Sequence, residues 1–311
     1  MPFHRGHQYL IDFARQHCDE LTVLVCSIEA EPIDGALRYQ WVKEYCRPDV
    51  RVLHVQEEVP QEPAEHPRFW AIWKELVLRY VGAPIDRVYA SEAYGKRLAE
   101  EVGAQFVPVD LARELVSISG SAIRAEPMEH WDYLVDSVRP FFAKRISIFG
   151  PESTGKTTLT FKLARHFQTV AVHEYARSFL ETFQRPCEVE DMIPIVKGQI
   201  AAEEAMARQA NRLLFCDTDP LATTIWSDAL FGHSDPWIEM ASADRKYDLT
   251  LLLDVDVPWV ADEQRYFPTE RESFFARCEA MLERHGRPYV VIRGTFEERF
   301  ERAVEAIDSL F

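Results

Sequence analysis

Residues 150–157 have the spacing of residue types that most clearly indicates chemistry. They read Gly-Pro-Glu-Ser-Thr-Gly-Lys-Thr, which fits the pattern G-x-x-x-x-G-K-[ST] in full. The two fixed glycines let the backbone curl until its N–H groups point at phosphate oxygens. The lysine reaches the β- and γ-phosphates, and the last hydroxyl takes a site on Mg²⁺. We therefore predict a site for ATP and Mg²⁺ formed by Gly150, Ser153, Thr154, Gly155, Lys156, Thr157 and Thr158.

Acidic residues follow the apolar runs near this loop. Glu174 comes after the second run, where a carboxylate can act as a base toward a substrate hydroxyl or bind a ribose. Asp217 and Asp219 follow the third run, and an acid at the end of an apolar strand suits a Mg²⁺ ligand. Asp254 and Asp256 end the next run and are the alternatives for the metal.

Two arginines follow the fourth strand of this region. Arg265 and Arg271 lie in a short polar segment where a lid could bring cations onto a transferring phosphate. The alternative is a solvated surface loop. Trp259 precedes these arginines and Arg177 follows Glu174, and both are candidate substrate contacts.

A second pair of segments suggests another phosphate site. His4 and His7 flank a glycine at a predicted junction between a loop and a helix, where imidazoles can hydrogen-bond phosphates. More than 100 residues later, Ser119 or Ser121 would cap a helix whose first turn contains Arg124. Hydroxyls, free N–H groups and an arginine would then converge on one anion. A capped surface helix and a chance pair of histidines are the alternatives.

Aromatic side chains could recognise flat rings. Trp70 and Trp73 lie three residues apart in a helical pattern. One of them could stack on a flat cationic ring, and core packing is the alternative.

Two runs of alternating strands and helices must position these residues. Such alternation predicts parallel sheets with right-handed crossovers, and hence an α/β fold with two parallel-sheet domains, at 1–140 and 145–311. The first run predicts strands at 21–27, 50–55, 87–90 and 105–109 and helices at 7–17, 37–45, 69–80 and 93–102. The second predicts strands at 145–149, 169–173, 212–216, 249–254 and 289–293 and helices at 156–166 and 192–209, after a junction at 136–144.

Composition limits the class of protein. The chain has 311 residues, a net charge of −16 and 47% hydrophobic residues, so it can bury two cores, and its acidic balance disfavours nucleic acid as a partner. The six cysteines form no C-x-x-C pair. No stretch has the ~20 apolar residues of a membrane span, and no signal peptide is evident, so we expect a cytoplasmic protein with no membrane partner. The oligomeric state stays open, a homo-oligomer included.

The two segments of the first half together resemble the nucleotidylyltransferase superfamily, whose signatures are H-x-G-H and a later [ST]-x-x-[IV]-R element. A nucleotidylyltransferase domain followed by a P-loop kinase domain resembles the bifunctional nicotinamide-nucleotide adenylyltransferase/ribosylnicotinamide kinase family (NadR-like). The resemblance covers nearly the whole chain. Local stretches that agree are 89–95, 109–110, 216–219 and 256–262.

The resemblance implies a Rossmann-like nucleotidylyltransferase domain and two consecutive reactions. The kinase phosphorylates nicotinamide riboside to nicotinamide mononucleotide (NMN), and the adenylyltransferase joins NMN to AMP to make NAD; both steps use Mg·ATP. Glu174 or Asp219 would be the base or riboside ligand of the kinase. His4 and His7 would hold and neutralise the ATP phosphates as pyrophosphate leaves. Ser119, Ser121 and Arg124 would assist them.

The chain departs from this family in two places. The family's first motif begins upstream as G-x-F-x-P-x-H-x-G-H, after a strand, whereas this sequence begins at the x-P. We expect the true start to lie upstream of Met1, which N-terminal sequencing of the native protein would test. Some members also carry an N-terminal helix-turn-helix and repress transcription; we expect no such role here.

Two other functions fit the motifs. The first is a P-loop kinase of another small hydroxyl substrate, fused to a cytidylyl- or pantetheine-type transferase. The second is a sensor of NAD or ATP whose first domain has lost catalysis. Substrate profiling separates the first alternative from NAD salvage, and intact His4, His7 and Lys156 disfavour the second.

Overall fold

The computed structural model describes residues 2–261 and 265–311. These residues form two compact units, one that ends at Val138 and one that begins at Arg139. Each unit has its own buried aliphatic and aromatic side chains and its own parallel strand pairs. In the described residues, no helix has both the length and the apolar character needed to cross a bilayer.

The first unit alternates strands and helices from its start. Its first strand reads Leu-Thr-Val-Leu-Val-Cys, and such aliphatic and β-branched residues fit a pleated surface. Gly82 and Gly103 end two of its helices in the left-handed conformation that glycine adopts most readily. Its elements are α1 (Arg5–His17), β1 (Leu21–Cys26), α2 (Gly35–Tyr45), β2 (Val50–Val55), α3 (Phe69–Val81), β3 (Arg87–Ala90), α4 (Tyr94–Val102), β4 (Gln105–Pro108) and α5 (Gly120–Ala125).

The strands of the first unit form two separate parallel pairs. β1 pairs with β2, and β3 pairs with β4. Helix α1 packs on both β1 and β3. The sequence predicts a parallel sheet in this half from which the strand that precedes the histidine motif is missing. Within residues 2–138 no strand joins the two pairs.

The second unit has a continuous sheet covered by helices. After one short helix come a buried strand, a glycine-rich turn and a helix, as the sequence predicts for a phosphate loop. Its elements are α6 (Arg139–Phe142), β5 (Lys144–Phe149), α7 (Lys156–His166), β6 (Val170–Val172), α8 (Tyr175–Phe183), α9 (Met192–Ala207), β7 (Leu213–Asp217), α10 (Pro220–Phe231), α11 (Pro236–Ala243), β8 (Leu249–Leu253), α12 (Arg271–Arg284), β9 (Tyr289–Ile292) and α13 (Phe296–Asp308).

The sheet order places the candidate site residues at one edge. The five strands are all parallel, in the order β6-β7-β5-β8-β9. In parallel sheets, ligands bind outside the carboxyl ends of the strands. Gly150 follows β5, Glu174 follows β6, and Asp217 is the last residue of β7. These residues therefore share the edge where a ligand is expected.

The predicted element bounds are close to those observed. The strand predicted at 212–216 ends one residue later, so Asp217 belongs to the strand instead of following it. The helix predicted from His7 begins at Arg5, because the His4 side chain accepts the Gly6 N–H and caps the helix two residues earlier.

Candidate functional site

The loop between β5 and α7 has the backbone of a phosphate cradle. Gly150 has φ +132°, and a Cβ atom there would lie 2.7 Å from the Leu253 carbonyl oxygen. Gly155 has φ +87° and Ser153 has φ +57°, both in the left-handed region. Successive N–H groups in such a turn form a concave surface for an anion. Glycine is thus required at position 150 by conformation and by space.

Lys156 lies on this loop. Its Nζ donates to the carbonyl oxygens of Gly150 and Pro151, at 3.0 and 2.8 Å. The Thr154 hydroxyl also donates to Pro151, at 2.8 Å, so that side chain stabilises the loop, and only the backbone N–H of Thr154 is left for phosphate. Thr158 is exposed beside them.

Thr157 and Asp217 lie in contact. The Thr157 hydroxyl donates to Asp217 Oδ2 at 2.6 Å, and the other carboxylate oxygen, Oδ1, is buried with no hydrogen-bond partner among the described residues. Burial raises the pKa of Asp217, while Thr157 and Lys156 act in the opposite direction. A hydroxyl next to a buried, under-coordinated carboxylate is the donor set that Mg²⁺ takes beside ATP phosphates.

Glu174 is the unpartnered acid of the site. It lies between β6 and α8, and its carboxylate makes no hydrogen bond with any residue that the structure describes. Burial raises its pKa, and Lys156 opposes this effect. The start of α8 is fixed by Gln199, whose side-chain oxygen accepts the Tyr175 N–H at 2.9 Å.

Asp219 has a different environment, which corrects the expectation that it serves as base or substrate ligand. It is fully buried, and its Oδ2 accepts from the Ser147 hydroxyl and from Arg287, both at 2.7 Å. Its Oδ1 caps α10 through the Leu221 N–H at 2.7 Å. Both oxygens are therefore used within the fold, and Asp219 does not line the cavity over the phosphate loop.

The alternative metal ligands are also used within the fold. Asp254 accepts from Arg293 at 2.5 Å and from the Val255 N–H. Asp256 pairs with Arg299 and accepts the Gly294 N–H at 2.6 Å. Within residues 2–261 and 265–311, no cluster of three or more His, Cys, Asp or Glu could hold a metal ion by itself. Asp217 with Thr157 is thus the better donor set.

The arginines after β8 lie over the phosphate loop. Arg271 donates to the Ser153 carbonyl at 3.1 Å, and Arg265 donates to the Ser153 hydroxyl at 3.3 Å. Both guanidinium groups lie within 6 Å of the Trp259 ring, at 5.8 and 5.9 Å, so this tryptophan stacks on the arginines. The predicted lid segment also includes residues 262–264, which lie outside the described residues.

The phosphate loop opens into a cavity of about 180 Å³. The polar side chains that line it include Lys156, Thr157, Glu174, Arg177 and Arg265. Its apolar lining comprises Leu180, Cys187, Met192, Ile195, Trp226 and Leu230, of which Cys187, Met192, Trp226 and Leu230 belong to one packed cluster. A nucleotide phosphate and a flat acceptor can thus meet in one space.

In the first unit, His4 and His7 lie together, with ring centroids 4.0 Å apart. Burial lowers the pKa of His4 to about 4, with Arg113 acting in the same direction, and burial and His4 lower the pKa of His7 to about 3. Both rings are therefore neutral at pH 7. Neutral imidazoles can hold phosphates as hydrogen-bond donors, and the predicted neutralising role stays a prediction. The buried Nδ1 of His7 has no partner among the described residues.

The second predicted segment of this unit caps a short helix. Ser119 accepts the Ala122 N–H at 3.1 Å and is the cap of α5, and the Ser121 hydroxyl accepts from Arg124 at 3.3 Å. Val116, which precedes this helix, lies near Gly6 between the two histidines. A Cβ atom added to Gly6 would lie 3.7 Å from the Val116 side chain.

The two tryptophans of α3 differ. The Trp73 indole donates to the Pro60 carbonyl at 2.9 Å, and its ring packs on Leu76 and Val77, so Trp73 is a core residue. Trp70 is partly buried and packs edge-on against Phe69. Trp70 therefore remains the candidate for stacking.

Sequence reasoning missed three charged residues that lie in or beside the two sites. Arg113 acts on both histidines, and Arg287 pairs with Asp219. Glu152, at a variable position of the phosphate loop, accepts the Tyr266 N–H at 3.0 Å and thereby holds the arginine segment. The sequence offered one signal for Glu152, which is an acidic residue within the phosphate loop, where it can attract the arginines of the segment that follows β8.

This fold and site define an α/β protein whose second unit is a P-loop, kinase-like domain. The family of AAA domains matches residues 145–299. The chain is 30% identical over 330 residues to the trifunctional NAD biosynthesis/regulator protein NadR of Escherichia coli (strain K12), an alignment that covers 98% of this chain and 80% of that protein. The NadR protein of Salmonella typhimurium (strain LT2) is 28% identical over 333 residues, covering 99% and 81%. The chain belongs to the NadR family.

Solved structures of NadR proteins share the fold. One in complex with NR superposes with a TM-score of 0.81 at 22% identity, covering 99% of this chain and 93% of that one. Another, in complex with NAD and AMP-PNP, gives a TM-score of 0.78 at 23% identity with the same coverage.

Proposed function

We propose that the second unit phosphorylates nicotinamide riboside with ATP and so makes NMN for NAD salvage. The observation that carries the proposal is the carboxylate of Glu174, which has no partner among the described residues and lines the same cavity as Lys156 and Thr157. A base for the acceptor hydroxyl is thus next to the phosphate loop. Relatives that act in NAD biosynthesis and a related fold in complex with NR support this acceptor.

Each residue of the site has a separate role in the proposed transfer of the γ-phosphoryl group. N–H groups of residues 153–157 and Lys156 bind the β- and γ-phosphates, which requires Nζ to leave the Gly150 and Pro151 carbonyls. Glu174 accepts the proton of the attacking hydroxyl. That oxygen bonds to the γ-phosphorus as the bond to the β-phosphate oxygen breaks and ADP leaves. Arg265, which lines the cavity, would stabilise the charge of the transferring group, with Arg271 beside it on the phosphate loop.

Mg²⁺ fits the donors present. The buried Oδ1 of Asp217 and the Thr157 hydroxyl would hold it, with ATP oxygens completing its shell. Bound there, the ion supplies positive charge to the β- and γ-phosphates.

Replacing Asp217 with asparagine should raise the Mg²⁺ concentration needed for half-maximal turnover by about tenfold or more, because one anionic ligand is lost. The measurement is a Mg²⁺ titration at fixed ATP and nicotinamide riboside. Asp254→Asn is the matched control, since Asp254 is tied to Arg293, and it should keep the wild-type Mg²⁺ dependence. A shift in the control and none in Asp217→Asn would assign the metal to Asp254.

The apolar lining of the cavity suits the acceptor. A pyridinium ring is flat and cationic, and Trp226 offers it an aromatic wall with Met192 and Ile195 alongside. The glycosyl part would then face Glu174 and the phosphate loop.

We propose that the first unit adenylylates NMN to NAD. The support is local: two neutral imidazoles lie at the start of α1, and one has a buried nitrogen without a described partner. His4 accepts the Gly6 N–H through Nδ1, so its proton is on Nε2, which can donate to a phosphate oxygen. Ser119, Ser121 and Arg124 would contact the same ATP, and Trp70 would stack on a ring.

The test is ATP consumption with Mg²⁺, run separately with nicotinamide riboside and with NMN, with products identified by mass. We expect NMN from the riboside and NAD from NMN. NMN alone would overturn the adenylyltransferase proposal and leave the kinase. No turnover of either, together with turnover of another nucleoside or phosphorylated acceptor, would assign a different salvage reaction.

A further inference from the structure

Thr218 has a backbone conformation that threonine rarely adopts. Its φ is +69°, in the left-handed region, and its side chain is branched at Cβ. Such a residue at positive φ is an outlier that costs free energy, and glycine or asparagine would adopt the conformation more easily. Outliers of this kind persist where the surrounding structure holds them, and they concentrate at ligand sites.

The neighbours of Thr218 hold it from both sides. Asp217 ends β7 and accepts the Thr157 hydroxyl, whereas Asp219 is fixed by Ser147 and Arg287. The N–H of Thr218 itself donates to the Ile148 carbonyl at 3.0 Å. The chain must therefore turn within one residue between two anchored carboxylates.

The Thr218 hydroxyl is not used by the fold. Three other buried threonines of this unit donate their hydroxyls to main-chain oxygens, Thr154 to Pro151, Thr160 to Lys156 and Thr224 to Pro220. Thr250 differs, because its Oγ1 is buried in β8 with no partner among the described residues. Thr218 is 9% exposed, lines the cavity, and its hydroxyl makes no hydrogen bond with any residue in the described ranges. Thr218, unlike Thr250, lines the cavity, and a cavity-lining hydroxyl with no fold partner at a position where threonine is unfavourable points to a ligand.

We propose that Thr218 is a specificity-determining contact for the acceptor, and that its hydroxyl hydrogen-bonds a sugar hydroxyl of the nucleoside in the kinase cavity. This assignment rests on the proposed kinase function. Glu174 and Lys156 line the same cavity, so a sugar held by Thr218 lies within the space that contains the base and the phosphate loop. Asp219 then acts as a positioning residue, because its ion pair with Arg287 holds the turn.

The experiment compares Thr218→Val, Thr218→Ser and Thr218→Gly in the full chain. Valine keeps the branched shape and removes the hydroxyl, so KM for nicotinamide riboside should rise about tenfold while KM for ATP changes by less than about twofold. Serine should restore the KM for the riboside. Glycine should raise Tm because it removes the strain of a threonine at positive φ, and it should still raise the KM for the riboside because the hydroxyl is lost. Stability and acceptor affinity would then move in opposite directions, which a purely structural role would not produce.

Thr224→Val is the matched control. Thr224 follows on α10, is buried, and bonds within the protein, so its loss should lower Tm and leave the KM for the riboside unchanged. An unchanged KM for the riboside in Thr218→Val would overturn the assignment of Thr218. The kinase proposal would still stand if the wild-type protein phosphorylates the riboside. Wild-type protein that phosphorylates no riboside would overturn both.

Discussion

Replacing Glu174 with glutamine is expected to lower kcat for phosphorylation of nicotinamide riboside by about 100-fold to 1,000-fold, the usual contribution of a positioned base. The amide keeps the shape of the side chain and cannot accept the proton of the attacking hydroxyl. KM for ATP should change by less than about twofold, because the phosphates are bound by the loop and Lys156. Steady-state kinetics with varied ATP and riboside measures both quantities.

The pH dependence gives a second readout of the same residue. Burial raises the pKa of Glu174, and the base works in its ionised form. Turnover should therefore fall as the pH decreases through this raised pKa, above the ordinary glutamate value of about 4.3. In Glu174→Gln the acid limb due to this group should disappear. A folded-state pKa above the unfolded value also means that ionisation destabilises the fold as pH rises, so the variant should be at least as stable at pH 7.

Glu190→Gln is the matched control for the loss of charge. Glu190 is exposed, lies between α8 and α9, and does not line the cavity. It should keep the wild-type kcat and pH profile. Full activity of Glu174→Gln, with the acid limb retained, would exclude Glu174 as the base and return the search to other groups of the cavity.

The sequence predicted the parts of the fold that depend on local pattern. The phosphate loop follows a buried strand and starts α7, since glycine spacing and apolar runs are local properties. Glu174 and Asp217 could be placed at the sheet edge because parallel strands bring their carboxyl ends together. Ser119 was one of two predicted caps, and the structure selects it.

Tertiary contacts decided what the sequence left open. Asp217 and Asp219 are two residues apart and look alike in sequence. Asp217 keeps one carboxylate oxygen without a described partner beside Thr157, whereas Asp219 is paired with Arg287, 68 residues away. Local pattern cannot place such a partner. Arg113 is a similar case, because its effect on the histidines depends on how the chain returns to α1.

Breaking the Asp219–Arg287 ion pair should have the largest effect on stability. Both side chains are buried, with Nη1 to Oδ2 at 2.7 Å, and Arg287 also donates to the Ser242 carbonyl at 3.0 Å. Asp219→Asn leaves the guanidinium without its counter-charge and weakens the bond to Ser147, so the free energy of unfolding of this unit should fall by about 3 to 5 kcal/mol. Hydrogen exchange of the amides in β5 and β7 measures that free energy within the second unit.

The double variant distinguishes the energy of the ion pair from the cost of leaving one charge buried without its partner. Arg287→Met alone should be as damaging as Asp219→Asn, because it leaves the carboxylate buried and uncompensated, whereas Asp219→Asn/Arg287→Met should cost less than the sum of the two. Residual turnover then follows the folded fraction and the position of Thr218, and saturating riboside should restore part of the rate that is lost at low riboside. Asp219→Asn could instead lose turnover while its hydrogen exchange is unchanged and added riboside does not restore the rate. That result would assign Asp219 a direct role in the reaction. The burial of both oxygens of Asp219 is the physical reason to expect the opposite, since a base must reach the proton that it removes.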